Sequence, residues 1–531
     1  MIGVAVVAFA FVALALPDRW AARLAPLVLL GAALANWFGP LGEPISGWFF
    51  GFAFEFNVAR SWSAFVGAGL AGFGAASFWY LLPKRPLRWL VAGALIHIGS
   101  ALALLTAGDL LSFFIFWELI TIGAVMIIYQ DRVSFSVLHR YFVYQMAGAA
   151  ALLIGIGINY GATGSIALAD IAAGHGFFLL AVAIKCAVIP LHLWLIRTYP
   201  RVTKETTVVL SAYATKVGIV GIGLLLPGYG LELVGGIVAV VAVLYALRQS
   251  GLRQFLSFHI ISQIGYMIAG VGAFAGAGAA LAAAGGYFHL VNNVVYKGLL
   301  FMVAGVLVDS FGRSNMYRIR GAGRRKPLLT VIAVIASASI AGVPPFNGFI
   351  SKSLLKSALD GSLASWLLVL AGIGTAMSFT KFLYLCFFTG WWSESKESQR
   401  THKPAAVPPT PIAQQVAMCV LALTCLALGL APHVPLSLFF GVEQVFYYPA
   451  GLWNAVWPVL TAVLLFAFAF PVINRLLKTF LPVRLGLSRL LRVSSVAGGA
   501  LAQAIHNGSA LRYLSWAVSG LVVVWTVLLL L

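Results

Sequence analysis

Apolar runs of helical length recur from one end of this chain to the other, and very little charge interrupts them. A helix needs about 20 mostly apolar residues to cross the hydrocarbon core of a bilayer. Some sixteen stretches approach or meet that length, near residues 2–16, 24–38, 61–83, 88–106, 110–130, 141–160, 176–196, 207–228, 231–248, 254–276, 283–308, 328–359, 364–388, 411–431, 450–474 and 513–531. Charged residues make up only 9% of the 531, against about 25% in a soluble domain. So little charge cannot cover a water-soluble globule of this size, which excludes a cytosolic enzyme, a disordered chain and a disulfide scaffold. Cys186, Cys386, Cys419 and Cys425 stand singly in apolar runs, a spacing that makes neither a zinc site nor a redox pair. The first run has no basic region before it and is followed by Asp18 and Arg19, so it reads as a span and not a signal peptide. The sequence predicts an all-α polytopic membrane protein of about 14–16 transmembrane helices.

The connections between runs give an independent check. Net charge is +20, which in a soluble protein would point to nucleic acid. Here the cations sit between apolar runs, where lysine and arginine set orientation in the membrane, and no nucleic-acid partner is expected. Arg19 and Arg23 fall in the first connection, Lys84, Arg85 and Arg88 in the third, Arg132 and Arg140 in the fifth. Arg197, Arg201 and Lys204 follow in the seventh, Arg248 and Arg253 in the ninth, and Arg313, Arg318, Arg320, Arg324, Arg325 and Lys326 in the eleventh. Even connections carry Glu43, Glu55, Asp109, Asp170, Glu232, Asp360 and Glu443, with Arg60 as their one clear cation. This alternation places odd connections in the cytoplasm and both termini outside, as in a bacterial inner-membrane protein. Residues 390–410 read as a polar linker, and Arg475 to Arg512 as a basic segment that is either an amphipathic piece on the inner leaflet or an ordinary positive-inside loop.

An ionisable side chain at the centre of a spanning helix costs roughly 2.5–3.5 kcal/mol, whereas a lysine near a helix end escapes by snorkelling. Glu118, Lys185, Lys216 and Lys297 are central, and Lys352 lies just beyond a proline pair. One carboxylate cannot neutralise four lysines. A lysine that keeps its charge without a partner needs water, and one that does not must give up its proton; both outcomes suit proton transfer. His289 shares a helix face with Asn293 and Lys297, which marks it as a relay candidate. His97 and His259 have no such company and read as packing residues; Lys381 is close enough to a helix end to snorkel; Glu205 beside Lys204 reads as half of a solvated pair.

Two runs are interrupted near their charged residue. Pro190 follows Lys185 in the seventh, and Pro344 and Pro345 precede Lys352 in the twelfth. Proline removes a backbone donor and frees carbonyls in the preceding turn, tolerated at membrane depth only inside protein or beside water. Corresponding interrupted helices in two halves point to a transport site. The breaks are five runs apart, an odd offset that inverts topology. The expected organisation is therefore residues 1–87 as peripheral helices, 88–228 as a first five-helix repeat with Glu118, Lys185 and Lys216, 229–389 as an inverted second repeat with His289, Lys297 and Lys352, and 390–531 as linker, C-terminal helices and basic segment.

At these positions the chain resembles the antiporter-like subunits shared by respiratory complex I, membrane-bound hydrogenases and Mrp-type cation/proton antiporters. FFIFWELITIGAVMIIY is similar to the family's glutamate helix, KCAVIPLHLW to its broken lysine helix, and SAYATKVGIVGIG to the next lysine helix. LRQSGLRQFLSFHIISQIGYMIAG resembles the central connection, HLVNNVVYKGLLFMVAG the relay helix, and AGVPPFNGFISK the terminal broken helix, all in order from about 90 to 390. TKVG and ISQIGY lean towards the D-type Mrp subunit. The family's pattern is departed from at Ile196-Arg197, where Pro-Asp is usual, at Asn293, where a second histidine is usual, and at Gly251, where an acid is common. The resemblance implies a proton-translocating subunit of a hetero-oligomeric membrane complex. Glu118 and Lys185 would form a switch pair acting on Lys216, with protons passing through His289 and Lys297 to Lys352. It also implies other membrane subunits as partners, with protons and sodium or potassium as cargo. The alternatives are a pump module of a complex I or hydrogenase-type redox complex, and an energising subunit for inorganic-carbon uptake. The chain has neither a dinucleotide fingerprint nor a cysteine cluster, so redox chemistry would belong to partner chains, and no cofactor is expected here.

Overall fold

A computed structural model describes residues 1–39, 43–49, 52–58, 60–82, 88–276, 278–389 and 407–481. The chain begins with α1 (Ile2–Ala15) and α2 (Asp18–Phe38), then an antiparallel hairpin of β1 (Ile45–Phe49) and β2 (Phe52–Phe56), then α3 (Ser61–Leu81). A first set of five spans follows: α4 (Arg88–Leu104), α5 (Leu110–Gln130), α6 (Phe135–Thr163), the broken pair α7 (His175–Lys185) and α8 (Leu193–Thr198), and α9 (Lys204–Leu225). A second set comprises α10 (Glu232–Arg248), α11 (Leu252–Val271) and α12 (Ala279–Phe311). After the short α13 (Ala322–Arg325) it continues with the broken pair α14 (Pro327–Ala341) and α15 (Asn347–Ala358) and ends with α16 (Leu363–Leu383). In both sets the fourth span is the interrupted one. The described chain ends with α17 (Ile412–Leu430), α18 (His433–Phe440), α19 (Pro449–Leu464) and α20 (Phe470–Phe480). Among the described residues nine helical stretches are long and apolar enough to cross a bilayer. The protein is an all-α polytopic integral membrane protein.

The fold is organised around α12. From Ala282 to Leu307 nearly all of its side chains are buried, and it packs against α3, α9, α11, α14, α15 and α17. No helix here needs to be amphipathic in the soluble sense, because lipid is as apolar as the protein interior. What marks the interior instead is small residues that let backbones approach. Gly348 is such a place: an added Cβ would strike the Ser339 carbonyl, so glycine lets α15 lie tightly on the end of α14. Asp109 caps α5, accepting from the Ser112 N–H at 2.7 Å and from the Glu55 N–H at 2.9 Å. That second bond ties the hairpin to the first set of spans.

Several expectations from the sequence need correction. α2 begins at Asp18, so Arg19 and Arg23 lie in its first turns and not in a connection, and α6 begins at Phe135 and takes in Arg140. The hairpin was not foreseen: ISGWF and FAFEF are too short to span and too aromatic to read as a polar loop. α20 presents Val472, Leu476 and Phe480, spaced by four, as exposed apolar residues on a helix that also carries Arg475 and Lys478, where the basic segment begins. The expectations for Lys84, Arg85, most of the polar linker, the rest of the basic segment and the run at 513–531 lie outside the described residues.

Candidate functional site

Lys185 is the last residue of α7, where the seventh span breaks. Its ammonium donates to Gln145 Oε1 at 3.0 Å, Thr121 Oγ1 at 3.1 Å and the Trp117 carbonyl at 3.4 Å, and lies 4.6 Å from the Trp117 ring centre. Three acceptors for three N–H donors complete its shell. Glu118, one turn from Thr121 on α5, is the expected partner, yet no ion pair joins the two among the described residues. Glu118 Oε1 is buried without a hydrogen-bond partner, while the residue as a whole is partly exposed on the outer face of the helix bundle. Pro190 stands in the break, and the Ile184 carbonyl accepts from the Trp194 indole at 2.9 Å. The second half of the broken span thus satisfies the first.

Lys216, in the middle of α9, donates to the Ser211 carbonyl at 2.8 Å and contacts Thr215 Oγ1 at 3.5 Å. α9 packs against α12, the helix that carries His289 and Lys297, and so joins the two sets of spans. Lys297 is buried, and its ammonium has no hydrogen-bond partner in the protein. His289 Nδ1 is 2.9 Å from Ser351 Oγ, and its Nε2 lies 3.2 Å from Gln263 Oε1 and 3.3 Å from the Tyr296 hydroxyl. Lys352, the residue after Ser351, donates to the Ile340 and Ala341 carbonyls at 2.8 and 3.2 Å. These carbonyls end α14, where Pro344 and Pro345 stop the helix, so the break supplies acceptors and the lysine takes them. Lys352 also lines a cavity of about 110 Å³ with Tyr266, Ser353, Lys356, Gln444 and Asn454, roomy and polar enough for several waters.

The structure therefore brings Lys216, His289, Lys297 and Lys352 together and sets Glu118 with Lys185 at one side. Lys185, Lys216 and Lys352 find acceptors in the protein itself, where their sequence context suggested water or a carboxylate. Lys216 and Lys352 still keep at least one N–H each for a further partner.

Two residues were undervalued in the sequence. Lys381 does not snorkel: it is 1% exposed and donates to the Leu247 and Gln249 carbonyls at 2.7 and 2.8 Å, at the C-terminal end of α10. His259 is fully buried, with neither ring nitrogen partnered by protein. Only its spacing of four from Gln263 on one face of α11 hinted at a polar stripe. Glu205 is not solvated either; it is 3% exposed in the first turn of α9, 3.5 Å from Lys204, which also pairs with Asp309 on α12. Nearby Asp131 accepts from the Thr203 N–H at 2.6 Å and its hydroxyl at 3.0 Å. Burial still holds its carboxyl above the usual aspartate range, those bonds working the other way. His97 is fully buried, its Nδ1 2.8 Å from the Ile120 carbonyl and its Nε2 without a protein partner.

Among proteins of known sequence, the D-type subunit of the Na(+)/H(+) antiporter of Alkalihalophilus pseudofirmus is 29% identical over 324 residues, 55% of this chain and 63% of that one. This chain thus spans less than two thirds of the length of that curated relative. Among solved structures, a chain of the Mrp complex from Dietzia sp. superposes with a TM-score of 0.70 at 23% identity, covering 89% of this chain and 97% of that one. A chain of an archaeal membrane-bound sulfane sulfur reductase gives 0.75 at 21% identity, covering 98% and 99%. Both likenesses are of fold. The family model described as NADH:quinone oxidoreductase/Mrp antiporter, TM, matches residues 107–378, about half of the chain and the whole of the region that carries Glu118 and the central lysines. The chain belongs to the NADH:quinone oxidoreductase/Mrp antiporter transmembrane family.

Proposed function

We propose that this chain is a proton-translocating membrane subunit of a multi-subunit cation/proton antiporter, with Glu118, Lys185, Lys216, His289, Lys297 and Lys352 as its proton-transfer residues. The observation that carries the proposal is Lys297: an ammonium buried in the centre of the molecule, without a protein acceptor, on a helix packed against that of Lys216 and close in sequence to a partnered histidine. A charge in that position is retained against a cost of roughly 2.5–3.5 kcal/mol, and a lysine that served packing alone would be expected to find an acceptor.

The two five-span sets, 88–228 and 229–389, are read as inverted repeats, each with its fourth span broken at Pro190 or at Pro344 and Pro345. The Glu118–Lys185 pair acts as a switch with two positions, and the arrangement described above is the separated one. Closing the pair would release Gln145 and Thr121 and change the field at Lys216. Moving one charge across 100 mV takes about 2.3 kcal/mol, and two charges at about 8 Å interact by roughly 2 kcal/mol at an effective dielectric constant of about 20, so coupling on the required scale is available. A partly exposed carboxylate at mid-membrane cannot face lipid at low cost, which supports a neighbouring membrane subunit against α5. The end bearing Arg248, Arg253 and Arg320 faces the cytoplasm of a bacterium in this reading, with both termini outside.

The test is transport by the native complex in everted membrane vesicles holding an imposed proton gradient. Addition of sodium or potassium is expected to dissipate the gradient through this complex. A gradient that neither cation disturbs, in a complex that co-purifies with redox subunits, would overturn the antiport reading in favour of a redox-driven pump.

A further inference from the structure

Resting on the proposed proton-transfer role, we infer that Lys381, Ser378 and His259 form a second arm of the relay, joining Lys297 to the basic end of the molecule, so that residues 229–389 alone hold a complete proton path from one face to the other.

The starting point is His259, an imidazole buried among hydrocarbon with two unpartnered nitrogens. A buried polar atom without a protein partner is one that ordered water completes. The His259 ring lies between Phe255, at 4.7 Å between centres, and Phe379, at 4.8 Å. Each of these rings carries a lysine: the Lys381 ammonium is 5.6 Å from the Phe255 ring centre and that of Lys297 is 5.9 Å from the Phe379 ring centre. His259 is thus the titratable group between two ammonium groups on different helices. Ser378, one turn before Lys381 on α16, is buried with its hydroxyl unpartnered.

Lys381 gives the arm its direction. Its acceptors, the Leu247 and Gln249 carbonyls, end α10 at the end of the molecule where Arg248 and Arg253 gather, and Gln249 is partly exposed there. On the other side of Lys297, the run of Tyr296, Gln263, His289 and Ser351 leads to Lys352 and its cavity. The order of spans supports the same assignment: Lys381 stands on the fifth span of its set as Lys216 does on the fifth of the other, and His259 on the second span as Glu118 does. Where the first set has the carboxylate of Glu118 on its second span, the second set has the imidazole of His259.

In each transfer the ammonium of Lys381 gives its proton, through water, to one nitrogen of His259. Lys297, left as the neutral amine once its own proton has passed on towards Lys352, takes the proton that the imidazole releases from its other nitrogen; a turn of the ring restores the starting tautomer, and Lys381 regains a proton from the basic face. One proton enters at Lys381 for each that leaves at Lys352, and no group changes its net state over the cycle.

The experiment is dye-monitored proton transport in everted vesicles carrying the native complex, with assembly of each variant followed on a native gel. Lys381→Met and His259→Phe are expected to lower the rate roughly tenfold or more, within the range that a positioned proton-transfer group contributes. Lys381→Arg separates relay from cap. Arginine keeps the charge and the donors to the α10 carbonyls but does not release a proton, so it too is expected to lose transport while assembling normally. Wild-type transport by Lys381→Arg would overturn the second arm, and so would wild-type transport by His259→Phe, whose ring keeps the packing between Phe255 and Phe379. Lys352→Met serves as the parallel control. If it is inactive while Lys381→Arg transports normally, only the second arm falls; if it transports normally, the proposed function falls with it.

Discussion

Lys297→Met is expected to abolish proton transport and at the same time to make the protein more stable. The two effects have one cause. The Lys297 ammonium lies buried without a protein acceptor, so its removal leaves no orphaned partner and relieves the cost of holding a charge in hydrocarbon. Methionine matches the length and flexibility of the lysine stem. A gain on the order of 2 kcal/mol is expected, up to the roughly 2.5–3.5 kcal/mol of the insertion cost, measurable as a higher thermal unfolding temperature of the detergent-solubilised complex. Transport is expected to fall by roughly a hundredfold or more, because the group proposed to join Lys216 to His289 no longer binds a proton. A variant that is both less stable and fully active would show that Lys297 is a packing residue.

Lys185→Met is expected to be equally inactive but not stabilised. Here the amine leaves Gln145 Oε1 buried without a partner, while the Thr121 hydroxyl and the Trp117 carbonyl keep the 3.5 Å bond between them. Each unsatisfied polar group costs about 1–3 kcal/mol, which offsets the relief of about 2.5–3.5 kcal/mol from removing the charge. The unfolding temperature should therefore stay near that of the wild type while coupled transport is lost. Glu118→Ala should behave in the same way in transport. Because the residue is partly exposed, the effect of Glu118→Ala on assembly tests separately the proposed contact with a neighbouring subunit. Full transport in both Lys185→Met and Glu118→Ala would rule out the switch.

The membrane character, the broken helices and the set of central lysines were legible in the sequence because each rests on a large energy. Burying a charge or a free carbonyl in hydrocarbon costs enough that composition and position reveal it. What could not be read was the direction in which an amine points. Lys352 was expected to need water or a carboxylate and instead closes on the carbonyls released by its own helix break. Lys381 was set aside by its distance from a helix end, a rule that holds for a lysine facing lipid; the C-terminus of α10 covers this one and offers it two carbonyls. His259 was passed over because its charged neighbours, on α12 and α16, are far away along the chain. Glu205 looked solvated because Asp309, which completes its cluster through Lys204, also comes from a distant helix. In each case the missing piece was a contact between helices, which hydropathy and spacing do not encode.

If the proposed path exists, water must link the buried lysines and histidines through the middle of the membrane. A map of the native complex at a resolution that reveals ordered water would show it. Water is expected within hydrogen-bonding distance of the Lys297 ammonium and of both His259 nitrogens, in continuous chains to Lys216, His289 and Lys381. A map in which Lys297 sits dry among side chains, with no water between it and either neighbour, would mean that no such path runs through this protein.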